Sequence, residues 1–322
     1  MRPFLYLLMI GFMAYLVWME DAAQQATSAE ASTSREPPES KGINRASVTA
    51  ILPHGDVVYT GDEVGTIRMI SPGKSDAAQH WVAHLGAIRQ LQLRGTRLIS
   101  VGADGSVATW SSDGVPERRA RLVGHHLNAA AITERGATIV AADRGTVARV
   151  DVGHRWRIAG IHARAAFSVS LDPTELQVIS GGADGSLRIW EVADGEEVHT
   201  WVAHKGWVTQ AVWGSDAVWS AGSDGRLRAW DTQGNRRHDL AASDNAITSM
   251  VRSADHIATG SESGDVRVFN SNSGLEVWRG RVDGAVMSLG IGSDRLYVGE
   301  EDGSVSIWDM TNGRSIGTLP DD

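Results

Sequence analysis

The chain repeats itself. Gly65, Gly105, Gly145, Gly185, Gly225, Gly264 and Gly303 are spaced by 40, 40, 40, 40, 39 and 39 residues. A period this regular means one structural unit copied seven times, each unable to bury its apolar face without its neighbours. Residues 87–110 (AIRQLQLRGTRLISVGADGSVATW) show what a unit contains. An alternating stretch runs to a turn at Arg94-Gly95. Leu98 to Val101 make a second short run. Ala103-Asp104-Gly105 make a tight turn, Ser106 to Trp110 a third strand, and Arg119 to Val123 a fourth. Period-2 alternation with Asp-Gly turns is the signal of successive hairpins.

Four strands in each of seven units predict an all-β fold: a seven-bladed β-propeller of four-stranded antiparallel blades over residues 47–322. Two residues after each marker glycine stand Ile67, Val107, Val147, Leu187, Leu227, Val266 and Val305. Five residues after it stand Ile70, Trp110, Val150, Trp190, Trp230, Phe269 and Trp308. Both faces of the third strand are therefore apolar, as a sheet packed on both sides requires. Ser47 to Leu52 aligns with first strands, and Arg314 to Leu319 with fourth strands. The register predicts that no strand is exchanged between the termini. Blades one and seven then close the ring by side-chain packing.

These residues resemble the WD-repeat family. Trp230-Asp231 and Trp308-Asp309 are its eponymous dipeptide, with Trp190-Glu191 a near variant, and Gly124-His125 is its Gly-His. Ala83-His84, Ile161-His162 and Ala203-His204 take the equivalent place. The resemblance implies a buried network of His, Ser, Asp and Trp in blade two (His84, Ser100, Asp104, Trp110), blade four (His162, Ser180, Asp184, Trp190) and blade five (His204, Ser220, Asp224, Trp230). Blades one, three, six and seven depart from it. Blade three keeps His125 but has Val140, Arg144 and Val150 at the other places. Phe269-Asn270 with Gly274 to Trp278 also resembles the quinoprotein-type propeller repeat.

The N-terminus is different in kind. Phe4 to Met19 is a 16-residue apolar run, preceded by Arg2 and followed by Glu20 and Asp21. Its length and flanking charge predict one N-terminal transmembrane helix within residues 1–19, with the N-terminus cytoplasmic and the remainder across the membrane. The run resembles a bacterial inner-membrane signal-anchor. Ala29-Glu30-Ala31, a small-x-small site, comes late for cleavage, so an uncleaved anchor is preferred over a cleaved signal. Residues 20–46, rich in Ala, Ser, Thr, Glu and Gln, read as a flexible linker with a reach of about 30 Å. The chain is then a single-pass inner-membrane protein with a periplasmic propeller.

Composition narrows the chemistry. There is no cysteine, which removes disulfides and thiolate metal sites. No phosphate loop, HExxH or Gly-x-Ser-x-Gly motif occurs. The recurring histidines read as structural, His125-His126 shows no evident carboxylate partner, and the Asp-Gly aspartates read as turn residues. No catalytic residue, metal ligand or cofactor is expected. The first 46 residues carry −1 of the net charge of −9, leaving −8 on residues 47–322, which opposes nucleic-acid binding. Trp207 stands where other blades have Ala87, Ala246 and Ala285, just after the junction histidine. An exposed Trp on a rigid loop near the channel is a natural anchor, and Trp207 lying over Lys205 or plugging the channel is the alternative. Candidate partner-binding residues are Trp207, Lys205 and His126.

The expected function is a non-catalytic, membrane-anchored scaffold or adaptor that holds other proteins in a membrane-associated complex. The alternatives are an envelope-assembly factor that guides client chains and a propeller that binds a small ligand or sugar in its channel.

Overall fold

The computed structural model describes residues 46–72, 79–122, 124–150 and 156–320. Blade one is β1 (Val48–His54), β2 (Val57–Asp62), β3 (Thr66–Ile70) and β4 (Gln79–Val82). Blade two is β5 (Ile88–Arg94), β6 (Arg97–Gly102), β7 (Ser106–Trp110) and β8 (Pro116–Arg121). Blade three is β9 (Leu127–Ile132), β10 (Thr138–Ala142), β11 (Thr146–Val150) and β12 (Trp156–Ile161). Blade four is β13 (Ala166–Leu171), β14 (Gln177–Gly182), β15 (Ser186–Glu191) and β16 (Glu197–Val202). Blade five is β17 (Val208–Trp213), β18 (Val218–Gly222), β19 (Arg226–Trp230) and β20 (Arg236–Ala241). Blade six is β21 (Ile247–Arg252), β22 (His256–Ser261), β23 (Asp265–Asn270) and β24 (Glu276–Arg281). Blade seven is β25 (Val286–Ile291), β26 (Arg295–Glu300), β27 (Val305–Asp309) and β28 (Ser315–Thr318).

Each sheet runs in sequence order and is antiparallel throughout, for example Leu98 opposite Trp110 and Trp110 opposite Pro116. The first strands neighbour one another in a ring that β1 and β25 complete, so they line the central channel. Apolar clusters fill the spaces between blades. Ile67 and Ala83 of blade one, for instance, meet Ile88, Leu98 and Trp110 of blade two.

Closure follows the predicted register. Among the described residues β1 pairs only within blade one and β28 only within blade seven. Val48, Ile51, Val58 and Ile70 pack on Tyr297, Val305, Ile307 and Leu319. Two hydroxyls add bonds across the seam: Ser47 Oγ to the Glu301 carbonyl and Ser288 Oγ to the Val48 carbonyl, both 2.7 Å.

The marker glycines have a double reason. Gly145 has φ +81°, a left-handed conformation that L side chains rarely adopt, and a Cβ there would lie 2.0 Å from the His162 carbonyl oxygen. The Gly145 carbonyl in turn accepts the His162 N–H at 2.8 Å. In blades one to six the second turn is thus fastened to the following junction loop, with no room for a side chain.

The N-terminal helix and linker expected in residues 1–45 lie outside the described residues. Among the described residues no helix is long and apolar enough to cross a membrane.

Candidate functional site

The junction loops between blades and the turns between second and third strands emerge on one face. In three blades the same four side chains knit it together. Trp110 Nε1 donates to Ser100 Oγ at 2.9 Å, Ser100 Oγ lies 2.7 Å from His84 Nε2, and His84 Nδ1 lies 3.1 Å from Asp104 Oδ1. In blade four Trp190 reaches Ser180 at 2.8 Å, Ser180 meets His162 Nε2 at 2.8 Å, and His162 Nδ1 meets Asp184 at 3.1 Å. In blade five the matching distances are 2.9 Å for Trp230–Ser220, 2.8 Å for Ser220–His204 and 2.7 Å for His204–Asp224. One proton arrangement satisfies every step: indole N–H to serine oxygen, serine O–H to Nε2, and Nδ1–H to the carboxylate. The second carboxylate oxygen accepts the N–H of the next junction residue, Leu85 at 3.1 Å and Ala163 at 3.0 Å.

The electrostatics favour an ionised aspartate and, in blade four, a neutral histidine. Burial works against the Asp104 charge. The hydrogen bonds from His84, Ser106 and the Leu85 N–H outweigh it, so the acid sits well below the usual carboxylate range. Burial likewise opposes the Asp184 charge, yet bonds from Ser186 and Ala163 lower it to about 2. Burial dominates at His162 and lowers its pKa, which keeps the imidazole neutral near pH 7.

The structure adds residues that the repeat pattern left out. Gly102, Gly182 and Gly222 end the second strands of these three blades, and a Cβ on any of them would lie 2.1 to 2.3 Å from a histidine Nδ1. The full signature is therefore Gly-x-Asp-Gly, not Asp-Gly alone. Arginine recurs three residues after the marker glycine at Arg68, Arg188, Arg228 and Arg267. Arg68 meets Asp62 at 3.2 Å and Arg228 meets Asp224 at 2.8 Å. Arg228 Nη1 also lies 2.6 Å from His204 Nδ1. That nitrogen directs its proton at Asp224, so the two donors share one carboxylate.

Blade three corrects the sequence reading. His125 does have a carboxylate partner: Asp143 Oδ1 lies 3.2 Å from its Nδ1 and also accepts the His126 N–H. The acid stands one residue early in the 3-10 turn Asp143–Gly145, which turns Arg144 outward in a left-handed conformation with φ 57°. Blade six uses serines instead, with Ser243 and Ser263 donating to Asp265 at 3.1 and 2.9 Å. In blade seven Trp308 donates to Ser306 at 3.0 Å.

Trp207, Lys205 and His126 all lie on this face. Lys205 and His126 are exposed and Trp207 is half-buried. Trp207 does not stand alone: its ring centroid lies 5.8 Å from that of Phe167, tilted by 50°. Phe167 occupies the bulge that recurs near the start of each first strand. In blades one, three and six the bulge residue is polar and ties the next first strand, as Thr49 Oγ1 does to the Ile88 carbonyl at 2.6 Å, Asn128 Nδ2 to the Ala166 carbonyl at 2.8 Å and Thr248 Oγ1 to the Val286 carbonyl at 2.5 Å. Between blades four and five this polar tie is replaced by an aromatic pair at the channel mouth. Backbone bonds to Ser223, 2.8 Å from the Trp207 N–H and 2.9 Å to its carbonyl, fix the loop that carries it.

Trp201, which the sequence places beside Trp207, has a different job. It packs over Gly234 of the next blade and lies 6.1 Å from Trp230. Trp81 repeats this over Gly114 beside Trp110, and Trp278 over Gly313 beside Trp308. Among the described residues no cluster of three or more His, Asp or Glu is arranged to hold a metal.

These repeats can be set beside known proteins. Residues 159–191 and 195–231 match the WD domain, G-beta repeat family. The matched residues hold most of blades four and five, the two adjacent blades that both carry a complete network. Each match runs from the fourth strand of one blade to the third strand of the next, across the junction the network secures. A 40-residue stretch is 42% identical to eukaryotic translation initiation factor 3 subunit I of Phaeosphaeria nodorum, and it covers 12% of each chain. The crystal structure of the computationally designed Ika8 protein matches with a TM-score of 0.66 over 84% of this chain and 98% of that one. At 20% identity that likeness concerns the fold alone.

Proposed function

We propose that this protein is a non-catalytic interaction scaffold that captures a partner protein on its junction face, with Trp207 and Phe167 as the apolar anchor. The aromatic pair carries the reading. It puts partly exposed aromatic surface where blades one, three and six have a side-chain hydrogen bond to the next blade, between two blades that both carry a complete network. A rigid aromatic group loses little conformational entropy on binding, which is why such residues dominate interface energetics. WD repeats in general serve protein binding, and the seven similar loops around a fixed rim suit it.

We further propose that Phe4 to Met19 anchors the scaffold in the inner membrane, with the propeller in the periplasm. The support is the apolar run and its flanking charges. Crosslinking and capture with the full chain test the first proposal. Wild type recovers a partner and Trp207→Ala loses it with no change in thermal stability. Equal recovery by Trp207→Ala removes the anchor role. Membrane extraction at high pH tests the second. Recovery of the intact chain in the soluble fraction contradicts an anchor.

A further inference from the structure

The junction face is divided by charge. Over blades six, seven and one its loops carry Asp244, Glu262, Asp283, Glu301, Asp302 and Glu63, of which all but the half-buried Glu262 are exposed. Loop residues 241–246, 261–264, 282–285, 300–304 and 62–65 contain no Lys or Arg. Arg281, at the end of β24, is held by Asp265 at 3.5 Å. Glu300 reports the local field. Burial raises its pKa, against a bond from Ser306, and the charges of Asp302 and Asp283 raise it further.

The opposite arc is the reverse. Over blades three, four and five the exposed charges are Arg144, Arg164 and Lys205, with His126 beside them. Its carboxylates are committed inward: Asp143 to His125, Asp184 to His162, and Asp224 to His204 and Arg228. Among the described residues the three cationic side chains have no ion pair. Arg144 is moreover held outward by a left-handed backbone, a strained state that surrounding structure has to maintain. So a chain of net charge −9 concentrates unpaired cations on the arc that also carries Trp207 and Phe167.

From this arrangement we infer the chemistry of the partner, resting on the protein-binding reading above. The junction face takes a charge-segregated segment of a partner protein: carboxylates and a bulky apolar side chain at one end, lysine or arginine at the other. The acidic end lies over Arg144, Arg164 and Lys205, with its apolar group against Trp207 and Phe167. The basic end crosses the channel mouth to Asp244, Asp283 and Glu301. Complementary potentials of this kind set orientation and suppress wrong partners. An anionic membrane or a nucleic acid would meet the acidic arc with like charge. A second copy of this chain would match arc to arc about a two-fold axis, but brings one net charge of −9 against another.

The test uses the full chain and two fluorescein-labelled peptides of equal composition. One has three aspartates, a leucine, a glycine and three lysines in that order; the other interleaves the charges. Fluorescence anisotropy at about 50 mM and about 300 mM salt reads binding. The segregated peptide is expected to bind about tenfold more tightly at low salt, with the preference shrinking at high salt. Arg144→Asn with Arg164→Gln and Lys205→Gln weakens it about tenfold, as does Asp244→Asn with Asp283→Asn and Glu301→Gln. All six positions are exposed, and unchanged melting curves confirm the fold. Equal binding of the two peptides, or no effect of either triple variant, overturns the inference. So does a dimer in sedimentation that either triple variant dissociates, which assigns the face to a second copy. Binding of phosphatidylglycerol vesicles without peptide preference also overturns it. If Trp207→Ala loses the native partner while both triple variants keep it, the scaffold reading stands and this inference falls. If Trp207→Ala keeps the native partner while the charge preference holds, the anchor role falls and the charge assignment stands.

Discussion

Arg228 and Asp224 form a buried ion pair inside blade five, Nη1 to Oδ2 at 2.8 Å, with only 9% and 14% of the two side chains exposed. The same guanidinium reaches Asp239 at 3.2 Å and the Ala203 carbonyl at 3.2 Å. It therefore joins the turn of its own blade to the junction from blade four. Arg228→Met keeps the volume and removes the charge, leaving the half-buried Asp224 carboxylate to His204 and to the Lys205 and Arg226 N–H groups, with no cation beside it. The expected cost is about 3 kcal/mol, as for breaking other buried pairs. Arg97 and Glu117 approach just as closely, at 2.8 Å, but are 64% and 37% exposed. Arg97→Met should cost no more than about 1 kcal/mol. Urea titrations of both variants check the contrast, and equal losses would show that burial does not set the strength of these pairs.

Acid should loosen blade four in two stages. The lowered His162 pKa means that the unfolded chain takes up a proton before the folded one. Its contribution is present above the ordinary histidine range near pH 6.5 and is lost as pH falls below it. Asp184, held to about 2, keeps its contribution above the usual carboxylate range near pH 4 and loses it as pH falls towards 2. Stability measured by urea midpoint from pH 7 to pH 3 should decline through both windows. Asp184→Asn, less stable at pH 7, should flatten the lower one, and an unchanged slope there would locate the acid sensitivity elsewhere.

The central serine of each network cannot be spared. Ser180 Oγ takes the Trp190 indole N–H at 2.8 Å and gives its proton to His162. Ser180→Ala leaves two buried polar atoms without a partner, at a cost of about 1–3 kcal/mol. A chemical-denaturation midpoint equal to wild type would mean that water replaces the hydroxyl.

Two glycines separate backbone strain from crowding. Gly55 and Gly145 both have positive φ, +57° and +81°. Nothing lies within 4 Å of a Cβ on Gly55, whereas one on Gly145 meets the His162 carbonyl oxygen at 2.0 Å. Gly55→Ala should cost about 1–2 kcal/mol through its conformation alone. Gly145→Ala should cost clearly more, because the junction backbone has to move. Similar melting temperatures for the two variants would assign the marker glycines to turn geometry only.

These positions show what a sequence displays and what it hides. The period, the third-strand apolar pairs and the register of the termini are local patterns, and each is visible along the chain. The partner of His125 was hidden because Asp143 stands one residue early, and only a 3-10 turn with Arg144 in a left-handed state brings it back. The pairing of Phe167 with Trp207, and of Trp201 with Gly234, joins residues a blade apart, so no short motif contains it. The division of charge on the junction face is also invisible locally. Its carboxylates are spread over separate loops, and whether an aspartate is committed inward or exposed depends on the fold. Asp224 and Asp283 look alike as letters but differ in that respect.

The seam between blades one and seven should be the place where the ring opens first. No strand crosses it among the described residues, so closure depends on side chains and on two serine hydroxyls. Ile51 lies in the seam cluster at 8% exposure, and Leu91 fills the same place in blade two at 7%. Ile51→Ala and Leu91→Ala remove similar apolar volume, each at about 2–5 kcal/mol. Their consequences should differ in where protection is lost. Native-state hydrogen exchange of Ile51→Ala is expected to release the amides of β1, β2, β26 and β27 together, with blades three to five still protected. Leu91→Ala should lower protection around blades one and two and leave blade seven unchanged. Uniform loss around the ring in Ile51→Ala would show that the seven blades unfold as one unit and that the seam has no separate stability.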